Sequence, residues 1–219
     1  MDIRVSETFL SLQGEGPSAG TPAHFLRLQG CSVGCSWCDT KYSWDFSTGR
    51  AVDAGTVLEE LLALGEAPLL VVTGGEPLEA PGLVPLLQLA LGHWEKVEVE
   101  TAGVLPPPLS HERLLWNVSP KLPRATPRWE RTWRHAAAWL DEPRATFKIV
   151  VGEAPDETDL LRLVAEHGLP AGRVVLMPEG FTDHGLREGA LALAEVCKRH
   201  GFRLSPRLHV WLWGARRGV

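Results

Sequence analysis

The chain has 219 residues, 44% hydrophobic and 22% charged, a globular composition long enough for one full-sized domain with a substantial core and too short for two large ones. Its 22 Lys and Arg against 27 Asp and Glu give a formal net charge of −5 with the bases scattered, which excludes a general nucleic-acid or membrane-surface binder. Apolar runs such as Leu83 to Leu91 fall short of the roughly 20 residues that span a bilayer, and the opening Met1-Asp2-Ile3-Arg4 has no signal-peptide character, so a cytoplasmic location is expected.

In chain order, β-rich runs predict strands at Arg4 to Phe9, Ala23 to Gln29, Leu69 to Thr73, Val97 to Thr101, Leu114 to Val118, Thr146 to Val151 and Arg173 to Met177. Between them, apolar faces predict helices around Val57 to Leu64, Leu83 to Leu91 and Leu160 to Val164, the last stopped by Gly168, with a fourth from about Leu186 to His200. Such alternation implies parallel strands joined by crossovers, hence an α/β layer or barrel. Pro106-Pro107-Pro108 to Ser110 cannot be a helix interior, so an irregular loop is expected there. The Arg- and Trp-rich stretch from Thr126 to Leu140 reads as a surface helix or a flap, with Trp129, Trp133 and Trp139 as packing residues.

Three of the four cysteines crowd together as Cys31-Ser-Val-Gly-Cys35-Ser-Trp-Cys38, which favours a metal site over cross-links. A compact CxxxCxxC loop wraps three corners of a cubane iron–sulfur cluster and leaves the fourth iron open to a substrate or cofactor. The alternative is a zinc site completed by His24, Asp39 or Cys197. Cys197, on a helix beside Leu193 and Val196, also reads as a buried free thiol.

In a parallel barrel the active site forms at the C-terminal strand ends. Gly30-Cys31, Thr73-Gly74-Gly75-Glu76-Pro77, Glu100-Thr101-Ala102-Gly103, Ser119-Pro120-Lys121 and Met177-Pro178-Glu179-Gly180 all fall there, gathering thiolates, carboxylates, hydroxyls and a lysine on one face.

CxxxCxxC followed after the next strand by Gly-Gly-Glu-Pro resembles the radical S-adenosylmethionine (SAM) enzymes. Within them the chain is similar, over almost its whole length, to the 7-carboxy-7-deazaguanine synthase family. Glu7 to Pro17, Phe25 to Cys31, Cys38-Asp39-Thr40, Glu100-Thr101, Ser119-Pro120-Lys121 and Ser205-Pro206-Arg207-Leu208-His209 carry that resemblance. It implies a single radical SAM domain over residues 1–219, built as a partial, trimmed (β/α) barrel of parallel strands whose N- and C-terminal segments close the active site. It also implies a homodimer, a flavodoxin-like or ferredoxin-like reductant, and neither nucleic acid nor membrane as partner.

The implied reaction converts 6-carboxy-5,6,7,8-tetrahydropterin to 7-carboxy-7-deazaguanine with loss of ammonia, on the way to 7-deazapurines such as queuosine. A [4Fe-4S] cluster on Cys31, Cys35 and Cys38 would cleave SAM to a 5′-deoxyadenosyl radical that abstracts an unactivated hydrogen, the protein supplying positioning and exclusion of water. Gly74, Gly75 and Glu76 would hold the SAM amino group. Glu100, Thr101, Ser119 and Lys121 would serve its ribose, amino and carboxylate groups, with strand-end capping as the alternative.

For the pterin, the resemblance implies Gln13, Gly14, Glu15, Arg27, Thr73 and His209. Gln13 and Glu15 offer donors and acceptors for its amide and amine edge, unless they merely shape a hairpin turn. Arg27, a lone charge between Leu26 and Leu28, needs an anion, either the substrate carboxylate or an internal Glu. His209 closes the site or is a packed histidine. Thr40, two residues past Cys38, would ligate Mg²⁺, or else cap the turn after Asp39. Met177 stands where some members carry Gln, so a side-chain contact from there to adenosine is not expected. The nearest alternative within the class is a glycyl-radical activase, against which the Gln-Gly-Glu-Gly segment argues; outside it stands a zinc-stabilised binding module.

Overall fold

The computed structural model of the chain describes residues 2–152, 154–214 and 216–219. Among the described residues nine strands form one sheet: β1 (Asp2–Leu12), β2 (Pro22–Leu28), β3 (Arg50–Asp53), β4 (Leu69–Gly74), β5 (Lys96–Thr101), β6 (Leu114–Val118), β7 (Ala145–Val151), β8 (Val174–Pro178) and β9 (Arg203–Leu204). Their order is β3-β1-β2-β4-β5-β6-β7-β8-β9, parallel from β2 to β9, and the end strands do not pair with each other. The expected partial α/β barrel is therefore present as an open sheet. One correction concerns its leading edge, where β1 runs antiparallel to both β2 and β3.

The expected helices are α1 (Ala54–Leu62), α2 (Leu83–Ala90), α5 (Ala154–Glu166) and α6 (Asp183–His200). Asp53 caps α1 by accepting from the Gly55 amide at 2.9 Å, and left-handed Gly201 ends α6, placing polar caps where each chain reversal begins. No helix joins β5 to β6, as the proline run requires. The Thr126 to Leu140 stretch forms two short helices, α3 (Trp129–Trp133) and α4 (Ala136–Asp141), whose Trp133 and Trp139 are buried. A last helix, α7 (Leu208–Trp213), and the short strands β3 and β9 carry too little periodicity to be seen in the sequence.

Strand side chains alternate between faces. Leu26, Leu28, Leu70, Val72, Val97, Val99, Phe147 and Ile149 join the main core beneath the helices. Ala23, Phe25, Leu69 and Val71 form a separate cluster with Phe9 on the opposite, inner face. A β-bulge between Val5 and Glu7 sets this up: Val5 pairs with Leu28 but Glu7 already pairs with Arg27. The extra residue switches which parity of β1 points inward, so Ile3 and Val5 enter the main core while Glu7 and Phe9 face the interior.

Candidate active site

The inner face and the C-terminal strand ends enclose a cavity of about 490 Å³. All seventeen residues singled out from the sequence line it: Cys31, Cys35, Cys38, Thr40, Gln13, Gly14, Glu15, Arg27, Thr73, Gly74, Gly75, Glu76, Glu100, Thr101, Ser119, Lys121 and His209.

The thiols come first. Directly after β2, the Gly30 amide donates to Ser43 O at 2.8 Å and the Cys31 amide to Trp44 O at 3.0 Å, folding the cysteine loop under the turn that follows it. The Gly-Gly-Glu turn after β4 lies against the same backbone, with Gly75 N to Leu28 O at 3.0 Å and Glu76 N to Gly30 O at 2.8 Å. Here glycine is obligatory: a Cβ on Gly75 would overlap the Gly30 carbonyl, and one on Gly74, at φ +135°, would overlap Leu28 backbone.

All four cysteines are free thiols. Burial pushes the Cys31 thiol up to about 11 and raises Cys35 as well, so a naked thiolate is disfavoured and a soft metal centre that stabilises thiolate fits the donor set. Of the alternative fourth zinc ligands, His24 does not line the cavity and its Nδ1 accepts from Trp94 Nε1 at 2.9 Å, Cys197 lies in the main core, and Asp39, which lines the cavity, accepts from Arg207 Nη2 at 2.5 Å. Three thiols beside open space fit a three-cysteine cluster better than tetrahedral zinc.

Glu76 is fully engaged within the protein. It accepts from the Leu78 amide at 3.0 Å, the Ala102 amide at 2.7 Å and the Thr101 hydroxyl, tying the turn after β4 to the end of β5. Burial raises its pKa. Ser119 Oγ accepts from Lys121 Nζ at 2.9 Å, and that ammonium also sits 5.3 Å from the Trp37 ring centroid.

The floor is a network of buried charge. Lys148, only 4% exposed in the middle of β7, reaches Glu15 at 2.5 Å and Glu100 at 3.3 Å. Glu15 also meets Arg207 at 3.1 Å and His209 at 3.9 Å. Gln13, 2% exposed, donates to Glu98 at 2.9 Å and Glu100 at 3.3 Å and accepts from the Glu15 amide at 3.2 Å. Its amide thus braces the carboxylates around it. Thr73 donates to Glu100 at 2.8 Å, while Ser18 at 2.5 Å and Asn117 at 3.3 Å donate to Glu98.

Burial alone would raise the Glu15 carboxyl, but Lys148 and Arg207 hold it well below the usual range. Burial would likewise lower the Lys148 ammonium, and Glu100 and Glu15 outweigh that and keep it charged. Glu98 moves the other way, raised by burial and then by Glu100. Burial lowers His209, so its imidazole favours the neutral form beside Gly14.

Arg27 meets an internal Glu. Its Nε donates to Glu7 at 2.7 Å, and Glu7 also accepts from Tyr42 at 2.7 Å and Arg217 at 2.6 Å. The bulge in β1 supplies that partner, and the guanidinium still lines the cavity. The Thr40 carbonyl accepts from the Ser43 amide and hydroxyl, both at 2.8 Å, while its own hydroxyl lies 3.5 Å from Cys38 Sγ and makes no capping bond. Met177 also lines the cavity.

Lys148 escaped the sequence reading although its signal is that of Arg27: a lone charge, here between Phe147 and Ile149, in an apolar strand. Arg207 lay within a motif already noted, and its link from Glu15 to Asp39 is visible only in three dimensions. The two termini of the site also meet directly, with Leu208 N bonded to Gly14 O at 2.9 Å and Gly16 N to Ser205 Oγ at 2.7 Å.

A three-cysteine loop at the end of one parallel strand and a Gly-Gly-Glu turn at the end of the next define the class of radical SAM enzymes, and the Radical SAM superfamily profile matches residues 26–115. The chain is 43% identical to the 7-carboxy-7-deazaguanine synthase of Pyrobaculum aerophilum, covering 99% of this chain and 97% of that one. The synthase of the same name from Escherichia coli K12 is 33% identical over 97% of this chain and 99% of its own. The crystal structure of QueE from Escherichia coli superposes with a TM-score of 0.71 at 30% identity, covering 94% of this chain and 93% of that one. Streptococcus suis SuiB bound to S-adenosylmethionine, at 13% identity and a TM-score of 0.57 over 80% of this chain and 44% of that one, shares the fold alone. The chain belongs to the 7-carboxy-7-deazaguanine synthase family.

Proposed function

We propose that the enzyme converts 6-carboxy-5,6,7,8-tetrahydropterin to 7-carboxy-7-deazaguanine with loss of ammonia, a radical SAM step in 7-deazapurine (queuosine) biosynthesis. The observation that carries this reading is the convergence of the cysteine loop, the Gly-Gly-Glu turn and the charged floor on one cavity of about 490 Å³. Cys31, Cys35 and Cys38 would hold a [4Fe-4S] cluster, which together with SAM would supply one-electron radical chemistry.

The chain's own residues position the reactants. The Gly74 and Gly75 carbonyls accept from the SAM amino group, while Glu76, committed to Leu78, Thr101 and Ala102, keeps that turn rigid. Ser119 and Lys121 hold the SAM carboxylate and ribose side. Anionic Glu15 accepts from the amine and amide N–H groups of the pterin, neutral His209 closes over it, and Arg27 pairs with the substrate carboxylate. Thr40 would hold a Mg²⁺ whose positive charge would help fix that carboxylate; its hydroxyl, on the cavity wall and free of capping duty, supports the role.

The chain works as a single domain in a cytoplasmic homodimer and takes electrons from a flavodoxin-like or ferredoxin-like protein. The decisive experiment is anaerobic reconstitution with iron and sulfide, followed by turnover with SAM and the carboxypterin and detection of the deazaguanine by mass spectrometry. SAM cleavage with no pterin consumed would overturn the substrate assignment. Thr40→Ala should abolish Mg²⁺ stimulation while keeping cluster and SAM cleavage; an unchanged Mg²⁺ response would remove Thr40 as ligand.

A further inference from the structure

Lys148 lines the cavity and has no task in the reaction above. It sits in the middle of β7, where Phe147 and Ile149 join the main core and the side chain between them turns to the inner face. Burying a lysine is costly unless anions meet it. Here Glu15 lies at 2.5 Å and Glu100 at 3.3 Å from its Nζ. The strand therefore fixes a cation at the point where two carboxylates converge.

Glu15 depends on that cation more than its neighbours do. Glu98 accepts from the neutral groups of Gln13, Ser18 and Asn117, and Glu100 from those of Gln13 and Thr73. Among the described residues the Glu15 carboxylate meets only Lys148, Arg207 and His209. Burial favours the neutral form of His209, and Arg207 divides its guanidinium between Glu15, Asp39 at 2.5 Å and the Gly180 carbonyl at 2.6 Å. Around Glu15 stand Lys148 from β7, Glu98 and Glu100 from β5, Asp39 from the cysteine loop, and Arg207 and His209 from the C-terminal segment; without the ammonium, Glu15 keeps a guanidinium that Asp39 shares. The Glu15 backbone is held separately. Its amide donates to Gln13 Oε1 at 3.2 Å, the Gly14 carbonyl accepts from Leu208 N at 2.9 Å, and the Gly16 amide donates to Ser205 Oγ at 2.7 Å. Lys148 thus acts on the carboxylate and not on the loop that carries it.

We propose that Lys148 is a positioning residue: its ammonium fixes the Glu15 carboxylate, charged, at the edge of the pterin subsite and sets substrate affinity through it. The inference rests on the pterin reading above and adds the residue that makes Glu15 an acceptor. A protonated Glu15 would turn a hydroxyl donor toward the substrate N–H groups, so its charge decides recognition. Lys148 is the foremost of the attractions that hold the Glu15 carboxyl low against burial. Without it the carboxyl takes up a proton more readily as pH falls.

The test is the Kd of 6-carboxy-5,6,7,8-tetrahydropterin for reconstituted, SAM-loaded holoenzyme, titrated anaerobically before any reductant is added. Lys148→Gln should raise that Kd by roughly tenfold or more. The ratio of variant to wild-type Kd should grow as pH falls from about 8 to about 6, approaching about tenfold per pH unit. Lys148→Arg, which keeps the charge, should recover affinity and the wild-type pH profile. In a double-mutant cycle, Lys148→Gln added to Glu15→Gln should change the Kd by less than about twofold, because the ammonium acts through the carboxylate. That pair removes both buried charges together, so its comparison with Glu15→Gln stands even where Lys148→Gln alone fails to fold. A ratio that does not vary with pH, losses that multiply in the cycle, or Lys148→Arg binding no better than Lys148→Gln would each overturn the proposal. Wild-type holoenzyme that binds SAM but no carboxypterin would instead refute the functional reading beneath it.

Discussion

At the rim of the cavity the three thiols ride on a loop without regular structure, set by backbone approaches between Gly30, Gly74 and Gly75 and by hydrogen bonds from Arg131 to Ser32 and from Thr126 to the Val33 carbonyl. At its floor Glu15, Glu98, Glu100, Lys148 and Arg207 sit on or beside strands and are set by one another's charge. The rim depends on shape, where a single added methyl collides. The floor depends on balance, where removal of one charge leaves another buried without a partner. The rim also presents donors that need a metal to be stable as thiolates, while the floor carboxylates already have partners within the protein.

The largest expected effect separates thiols by place rather than type. Cys31→Ala, Cys35→Ala and Cys38→Ala should each abolish cluster assembly, and Cys197→Ala, in the core of α6, should retain it, as read by iron and sulfide content and visible absorption. Equal iron loss on changing Cys197 would make the site a four-cysteine one. Next, Lys148→Met should destabilise the fold by about 3–5 kcal/mol, because Glu15 and Glu100 keep their burial and lose a partner. Urea unfolding measures this, and a cost under about 1 kcal/mol would show that the floor is not balanced by Lys148.

Arg27→Ala should weaken pterin binding by about 2–5 kcal/mol while uncoupled SAM cleavage persists. Loss of soluble protein would instead assign Arg27 to its Glu7 pair alone. Gly75→Ala is the rim counterpart and should cost about 1–3 kcal/mol through overpacking, with reduced cluster occupancy at an intact floor. A wild-type thermal midpoint would disprove the close approach to Gly30.

The smallest effect is a sign. The Glu15 pKa is lowered in the folded state from an ordinary value of 4.5, so its contribution is full above that pH and fades as pH falls below it. Glu76 at the rim is raised from the same value, so its contribution is full below pH 4.5 and declines as pH climbs through the folded value. Urea unfolding between about pH 3 and pH 6 should therefore show the acid-side loss flattened by Glu15→Gln and left in place by Glu76→Gln. Identical profiles for the two variants would contradict the contrast.

Much of the rim was legible because its chemistry is local. CxxxCxxC and Gly-Gly-Glu place ligands and turns within a few residues of a strand end, and alternating apolar runs located seven of the strands that carry them. The floor was legible in part: Gln13, Glu15, Glu100 and Thr73 were singled out, but Lys148 and Glu98 were not, because their partners come together only when β5 and β7 stand near one another across β6.

By itself the sequence determined the parallel α/β class, the ligand loop and the family, since each rests on patterns short enough to be read along the chain. Only the tertiary structure decided who partners whom. The bulge at the sixth residue turned Glu7 toward Arg27, the short strands β3 and β9 completed the sheet edges, and the Arg-rich stretch came to rest on the cysteine loop more than ninety residues earlier. The reason is physical: side-chain parity after a bulge, the pairing of buried charge and the packing of a short helix are set by contacts between distant segments, and their energies appear only once those segments meet.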